Sequence, residues 1–214
     1  MYIQITTRCN MECEHCAYSC TSKGVDMPRR VFVKACELAE DMGGYITIGG
    51  GEPTLHPRLF DYIGIAGAYT DEGVPFLVTN GKITDLALRL ASMAHRGLVG
   101  VDLSLDYYHE VIDECVEAAF RRAPGNRDDR DMRNIRDVTH GGQSDPIPQG
   151  RAENWALGDV DACVCDDLLV TPDGRLFSCG CMSIQYGTVF DPTLPDEYPE
   201  EWCAKARERE ECLS

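Results

Sequence analysis

The 214-residue sequence predicts an α/β fold built on a parallel sheet. Short runs rich in β-branched and aromatic residues alternate with longer segments in which apolar residues recur every three to four positions. Glycine-rich and Asn-Gly turns separate several of these segments. Strands that alternate with helices in this way belong to βα units, and the strands of such units run parallel in one sheet.

Four βα units can be assigned in chain order. The first helix has Pro28 at its start, where a fixed φ suits the first turn, and Gly43-Gly44 at its end. The apolar residues of the other helices follow the same 3.6-residue period. The predicted strands cover residues 2–7, 45–48, 76–79 and 99–105, and the predicted helices cover residues 27–42, 58–72, 84–96 and 108–122.

The regular alternation ends near residue 121. Residues 121–137 mix acidic and basic side chains and hold few apolar positions. They are predicted to form either a lid or a solvated loop with a short helix. Residues 147–152 are predicted to form a last strand. From about residue 160 the chain is rich in cysteine and turn residues, and it ends in an acidic segment that is predicted to be helical.

The composition limits the class of protein. The net charge is −16, with 36 acidic against 20 basic residues, so we do not expect direct binding to duplex nucleic acid. No apolar run approaches the roughly 20 residues that span a bilayer, and the N-terminus does not resemble a signal peptide. We therefore expect a cytoplasmic protein without a membrane partner. Twelve cysteines in such a chain indicate metal or redox chemistry rather than disulfides.

Three of these cysteines lie in a short loop after the first predicted strand. Cys9, Cys13 and Cys16 are separated by three and two residues. Soft thiolates select iron–sulfur clusters, zinc or copper. Three thiolates on a four-iron cluster leave one iron open to a ligand. The same spacing also fits zinc held by the three cysteines and His15.

Further motifs follow at the carboxyl ends of the next strands, where sheet enzymes bind ligands. A glycine-rich turn, residues 49–53, follows the second strand, and Asn80 ends the third. Ser104 and Asp106 end the fourth strand, and Arg151 stands in a Gly-Arg-Ala segment. Taken singly, each motif also fits a turn or a helix cap.

Together these motifs resemble the radical S-adenosylmethionine (radical SAM) superfamily, over residues 1–155. The resemblance implies a partial (β/α)6-type radical SAM barrel, shortened, with a small cysteine-rich C-terminal extension. It implies a catalytic [4Fe–4S] cluster on Cys9, Cys13 and Cys16, with S-adenosyl-L-methionine bound to the open iron. Reductive cleavage of that cofactor yields a 5′-deoxyadenosyl radical, which abstracts hydrogen from a peptide, nucleotide or small-molecule substrate. A reductant such as flavodoxin or ferredoxin is also implied.

The resemblance assigns cofactor contacts residue by residue. His15 occupies a position near the adenine that is usually aromatic, so this chain departs from the pattern there. Arg151 pairs with the cofactor carboxylate or with substrate, although a structural salt bridge fits equally well. The full predicted set of cofactor-binding residues is His15, Gly49, Gly50, Gly51, Glu52, Asn80, Ser104, Asp106 and Arg151.

A second cysteine group surrounds a predicted β-hairpin, whose turn is residues 172–174. The group consists of Cys163, Cys165, Cys179 and Cys181, and a zinc tetrathiolate would account for it. The segment also resembles the SPASM or twitch modules of radical SAM enzymes, which implies an auxiliary [4Fe–4S] cluster. In that case Cys203 or Cys20 is an alternative ligand. The chain is therefore divided into a core, residues 1–155, and a SPASM/twitch-like module with the acidic tail, residues 156–214.

Two other functions remain open on the sequence alone. One is an activating enzyme that installs a glycyl radical on a large partner. The other is a zinc-stabilised binding protein without catalysis, for which the cysteine groups would be purely structural.

Overall fold

The computed structural model describes residues 1–71, 73–124, 134–137, 146, 149–157 and 167–195. Its strands are β1 (Tyr2–Thr6), β2 (Thr47–Gly50), β3 (Phe76–Thr79), β4 (Gly100–Ser104), β5 (Ile135–Arg136), β6 (Leu169–Val170), β7 (Arg175–Phe177), β8 (Gln185–Thr188) and β9 (Asp191–Pro192). Its α-helices are α1 (Arg29–Asp41), α2 (Leu59–Gly67), α3 (Thr84–His95), α4 (Glu114–Arg122) and α5 (Arg151–Asn154), and a 3-10 turn covers Pro53–Leu55.

These strands form one sheet in the order β5-β4-β3-β2-β1-β6-β7-β8-β9. The pairs from β5 to β6 are parallel, and those from β6 to β9 are antiparallel. The predicted α/β fold with a parallel sheet is therefore confirmed. Because the parallel strands share one direction, the loops after β1, β2, β3 and β4 leave the sheet at the same edge.

The helices cover the sheet with the apolar faces that the sequence predicts. Helix α1 buries Phe32, whose ring stacks on that of Tyr62 from α2 at a centroid distance of 4.1 Å. The Tyr62 hydroxyl donates to the Met27 carbonyl at 2.8 Å, so its polar end is satisfied inside the core. Ile3 and Ile48 are fully buried partners across β1 and β2. This packing fixes the strand ends from which the site is built.

Three sequence predictions differ from the structure. The strand predicted at 147–152 is wrong over its described part, because Gly150 turns the chain at φ +62° and α5 begins at Arg151. The helix predicted at 108–122 begins only at Glu114, since residues 106–109 form a turn stabilised by the Asp106 side chain. The charged segment 121–137 contains a short strand, β5, which pairs with β4; residues 125–133 lie outside the described part.

The predicted C-terminal hairpin is present as β6 and β7, joined by the turn at residues 171–174. Strand β6 also pairs directly with β1, so the hairpin extends the sheet of the core. The division of the chain at residue 155 stays a prediction. No helix in the described ranges is both long and apolar enough to cross a membrane.

Candidate functional site

The cysteine loop, residues 8–21, begins two residues after β1 ends and returns to its own start. The Cys9 amide donates to the Thr21 carbonyl at 2.8 Å, and Arg8 forms a bridge with Thr21. The Arg8 side chain is in turn held by Asp26, through a hydrogen bond of 3.0 Å and an ion pair of 2.9 Å. The loop is therefore closed at its base.

The three predicted ligands on this loop, Cys9, Cys13 and Cys16, are all half-buried. Burial and the neighbouring Cys9 and Cys16 raise the pKa of Cys13 to about 12. A hydrogen bond from the Cys20 thiol lowers the pKa of Cys16 to about 5. The thiols thus lie in one another's electrostatic field, and they remain accessible enough to ligate a metal centre.

The arrangement of these ligand atoms distinguishes the two metal sites that the sequence allows, a four-iron cluster and a zinc ion. A tetrahedral zinc site with Zn–S bonds near 2.3 Å places its sulfurs about 3.8 Å apart. Among the described residues, only His15, Asp106 and His109 bring three potential ligand atoms within 4.8 Å of one another. Cys9, Cys13, Cys16 and His15 therefore do not converge on one point in this structure, as the ligands of a single zinc ion do. A four-iron cluster does not require that convergence, because each of its cysteines binds a different iron.

The glycine-rich turn after β2 packs directly on the start of the cysteine loop. The Gly51 amide donates to the Thr6 carbonyl and the Glu52 amide to the Arg8 carbonyl, both at 2.8 Å. A β-carbon on Gly51 would lie 2.2 Å from the Arg8 oxygen. Glycine is thus needed here for contact with the loop's own backbone, in addition to the close approach to a ligand that the sequence suggests.

The Glu52 carboxylate is fully buried and connects the turn after β2 to the end of β3. Its Oε1 accepts from the Thr54 amide and hydroxyl and from the Thr79 hydroxyl, at 3.0, 2.6 and 2.7 Å. Its Oε2 accepts from the Asn80 amide at 2.7 Å. Because protein donors occupy both oxygens, Glu52 stabilises the backbone of the site and does not present a free carboxylate to a ligand.

Asn80 connects the end of β3 to the cysteine loop. Its Nδ2 donates to Asn10 Oδ1 at 2.9 Å and lies 3.9 Å from the Cys9 sulfur. Nearby, Lys82 Nζ donates to the Asn10 carbonyl at 2.9 Å and pairs with Glu110. The first half of the loop is therefore fastened to β3 and to the loop after β4.

The end of β4 presents a buried carboxylate to His15. Asp106 Oδ1 accepts from the Tyr108 amide at 2.9 Å and pairs with His109 Nδ1 at 2.7 Å. Burial acts to raise the pKa of Asp106, but the bond with His109 outweighs it and holds this pKa below its usual value. The His15 ring lies 4.7 Å from the Tyr108 ring and 5.0 Å from the His109 ring.

Two buried atoms at this point have no partner among the described residues: Asp106 Oδ2 and His15 Nδ1. The Asp106 side chain is only 1% exposed. A buried polar atom without a hydrogen bond is costly, so both atoms are suited to a polar ligand. Ser104, the other predicted residue here, is buried at the end of β4.

Arg151 contacts the middle and the end of the cysteine loop, whereas Asn80 contacts its beginning. Its Nε donates to the Cys13 carbonyl at 2.9 Å and its Nη1 to the Cys20 carbonyl at 2.8 Å. These bonds are to backbone rather than to a carboxylate. The prediction that Arg151 also meets the cofactor carboxylate stays a prediction.

Four residues of this environment were missed by the sequence reasoning: Tyr108, His109, Lys82 and Gln149. A histidine three positions after Asp106 is a local signal that could have indicated the Asp106–His109 pair. The contacts of Lys82 and Gln149 join residues more than 70 positions apart, so no local pattern reveals them.

The second cysteine group is described only at Cys179 and Cys181, which follow β7. Their sulfurs are 2.8 Å apart, and both thiols are buried. The Ser183 hydroxyl lies 3.7 Å from the first sulfur and 3.6 Å from the second. The predicted partners Cys163 and Cys165, and the alternative ligand Cys203, lie outside the described residues. Cys20, the other alternative, is engaged with Cys16.

A comparison with protein families assigns the larger part of the chain to a known superfamily. The model of the radical SAM superfamily matches residues 3–141, about two thirds of the chain. The chain belongs to this superfamily. The radical SAM prediction is therefore confirmed at the level of the superfamily. Membership of this superfamily favours an iron–sulfur cluster over a purely structural zinc site at the cysteine loop.

Curated relatives match the radical SAM part of the chain. Mycofactocin maturase MftC of Mycobacterium tuberculosis is 34% identical over 109 residues, which is 48% of this chain and 26% of MftC. GTP 3′,8-cyclase of Chlorobaculum tepidum is 31% identical over 112 residues, 49% of this chain and 32% of the cyclase. The matches thus span about a quarter to a third of the relatives' length.

A solved structure shares the fold. BtrN in complex with AdoMet and 2-DOIA superposes with a TM-score of 0.57 and 15% identity, over 88% of this chain and 77% of BtrN. At this identity the likeness concerns the fold alone. It extends past the family match into the C-terminal part of the chain, in agreement with the sheet that joins β6 to β1.

Proposed function

We propose that Cys9, Cys13 and Cys16 hold the catalytic [4Fe–4S] cluster of this radical SAM enzyme, beside a site for S-adenosylmethionine. When bound, the cluster and cofactor supply a 5′-deoxyadenosyl radical that abstracts hydrogen from substrate. The protein's own residues shape the loop, orient the cofactor and exclude water from the radical.

The observation that carries this proposal is the arrangement of the cysteine loop. Its three thiols are accessible, do not all lie within 4.8 Å of one another, and are backed by the carboxyl ends of β2 and β3. Three ligands leave one position of a four-iron cluster open, as a catalytic metal site requires.

The cofactor site would extend from the glycine-rich turn to the end of β4. Gly49, Gly50 and Gly51 would give backbone access near the cluster, and the bond from the Asn80 amide to Glu52 connects this turn to the end of β3. Ser104, Asp106 and His15 would supply the polar contacts. The unpartnered Asp106 Oδ2 and His15 Nδ1 support this, because a ligand with polar groups would satisfy both.

We further propose that Cys179 and Cys181, together with Cys163 and Cys165, bind an auxiliary [4Fe–4S] cluster in a SPASM/twitch-like module. Two buried thiols with flanking serine hydroxyls at the end of a hairpin support a metal site here. The Ser178 hydroxyl also donates to the Cys179 sulfur at 3.6 Å, and the potential of an iron–sulfur cluster depends on hydrogen bonds of this kind.

The substrate is proposed to be a peptide, a nucleotide or another small molecule. The names of the relatives, a maturase and a GTP cyclase, favour these classes. The net charge of −16 disfavours a nucleic-acid duplex, since phosphates would be repelled. A flavodoxin or ferredoxin is the proposed electron donor.

The test is reductive cleavage of S-adenosylmethionine by the anaerobically reconstituted chain, followed as 5′-deoxyadenosine. Replacing Cys9, Cys13 and Cys16 together by alanine is expected to reduce this product below detection. Cys115→Ala is the matched control, because Cys115 is an exposed thiol on α4 and does not belong to the cysteine loop. Product formation by the triple variant at the rate of the control would contradict the proposal.

A further inference from the structure

The short segment formed by residues 149–151, here called the clasp, lies against the second half of the cysteine loop. Four hydrogen bonds connect the two. Besides the two from the Arg151 guanidinium to Cys13 and Cys20, the Arg151 amide donates to the Cys16 carbonyl at 3.0 Å. Gln149 Nε2 donates to the Ala17 carbonyl at 3.2 Å. The clasp therefore binds backbone oxygens along the loop and none of its side chains.

Gly150 makes this close contact possible. Its φ of +62° lies in the left-handed region, which glycine adopts without strain. A β-carbon at this position would lie 2.5 Å from the Ala17 oxygen and 2.9 Å from the Cys16 oxygen. Without a side chain here, the Arg151 amide can approach the loop at the level of Cys16.

The Arg151 guanidinium binds two separate points of the cysteine loop at once. Its Nε and Nη1 reach two carbonyls that are seven residues apart in the chain, before and after Cys16. The planar fork of arginine fixes the angle between two such bonds, whereas a lysine ammonium is a single point charge. The span between Cys13 and Cys20 is thus set by one rigid group.

The charge of Arg151 is also directed at the loop. Its described partners are neutral carbonyls, and no carboxylate of the described residues pairs with it. Within the described part of the chain, the positive charge therefore faces the loop backbone without a carboxylate partner. A reduced cluster carries one more negative charge than an oxidised one, so a nearby cation stabilises the reduced form.

We propose that Arg151 is a positioning residue for the iron–sulfur centre, which fixes the loop around Cys16 and raises the reduction potential of the cluster. The proposal rests on the proposed function of Cys9, Cys13 and Cys16. It assigns to Arg151 a role toward the cluster through the loop backbone.

Three variants distinguish the effect of the planar, forked guanidinium of Arg151 from the effect of its charge. Arg151→Lys keeps the charge and loses the fork, Arg151→Gln loses the charge, and Arg151→Ala loses both. Arg121→Ala is the matched control, because Arg121 pairs with Glu117 on the exposed face of α4. The readouts are the rate of iron loss to a chelator and the midpoint potential from an EPR-monitored redox titration, with thermal unfolding measured in parallel.

We expect Arg151→Ala to lose iron on the order of tenfold faster than the control, as outer-shell substitutions at metal sites do. Arg151→Lys should also lose iron faster while keeping the native potential. Arg151→Gln should shift the potential to a more negative value. Faster iron loss without a lower unfolding temperature would support a role in positioning rather than in general stability.

Two results would overturn the proposal. Iron loss and potential equal to those of Arg121→Ala in all three variants would show that the clasp does not act on the cluster. An unchanged potential in Arg151→Gln would overturn the effect of the charge. A native chain that binds no cluster on the cysteine loop would instead contradict the proposed function itself, so the two failures are distinguishable.

Discussion

The two cysteine groups of this protein are held in different ways. The first lies on a long loop after β1, with half-buried thiols and support from the distant residues Asn80 and Arg151. The second follows a short hairpin, where the thiols of Cys179 and Cys181 are 1% and 5% exposed and contact serine hydroxyls a few positions away. An open reaction centre needs accessible ligands and remote support, whereas a closed centre can be built locally.

The largest difference between the groups should appear in their iron. With two four-iron clusters, the reconstituted chain should contain about eight irons per molecule. Replacing Cys179 and Cys181 together by serine should remove about half of the iron and leave cleavage of S-adenosylmethionine intact. Iron and sulfide analysis with the 5′-deoxyadenosine assay measures both. About four irons and one zinc in the native chain would instead assign zinc to the second group.

The remote support of the first group should be sensitive to Glu52. Both carboxylate oxygens accept from a backbone amide, Oε1 from Thr54 and Oε2 from Asn80. In Glu52→Gln, either orientation of the side-chain amide places a donor against a donor. We expect a loss of about 1–3 kcal/mol in the free energy of unfolding, measured by urea denaturation.

The matched control for Glu52→Gln is Glu37→Gln. Glu37 is exposed on α1 and pairs only with Lys34 among the described residues. Solvent and salt screen an exposed ion pair of this kind, so its loss should cost much less than the loss at Glu52. Equal losses in the two variants would show that the buried carboxylate does not hold the strand ends together.

Two glycine substitutions extend the comparison. The same change to alanine should lower the free energy of unfolding at one position and raise it at the other. In Gly51→Ala the new methyl group would meet the Arg8 carbonyl, so the turn must move away from the cysteine loop, at a cost of about 1–3 kcal/mol. In Gly64→Ala, on the exposed face of α2, the methyl group meets nothing within 4 Å. Alanine should stabilise that helix by up to about 1 kcal/mol.

Thermal or urea unfolding measures the stability of both glycine variants. Their iron content after reconstitution is a second, independent measurement. Gly51→Ala should bind less iron than the native chain, and Gly64→Ala the same amount. Full iron binding by Gly51→Ala would show that contact between the turn and the loop is not needed for the cluster.

The sequence predicts the features that depend on local patterns. The cysteine spacing, the first four strands and the hairpin of β6 and β7 all follow from residues that are near in sequence. The strand predicted at 147–152 fails because a glycine at φ +62° redirects the chain, and that conformation is selected by contact with Ala17. Strand β5 has only two residues, too few for a periodic pattern.

The chemistry of the site is less predictable than its position. The motifs indicate which residues lie at the strand ends, but not which of them turn toward protein groups. Glu52 and Arg151 look like ligand-binding residues in the sequence, yet their described hydrogen bonds are to the protein itself. Asp106 has one oxygen in a protein bond and one without a partner, a distinction that only the tertiary structure reveals.

The central claim is that Cys9, Cys13 and Cys16 hold a cluster with an open iron. The most direct measurement is the low-temperature EPR spectrum of the reduced native chain with and without S-adenosylmethionine. We predict that the cofactor changes the signal of one cluster, because a ligand bound to the open iron alters its electronic environment, and that a cluster with four protein ligands is unchanged. A spectrum in which no signal changes at saturating cofactor would contradict the claim.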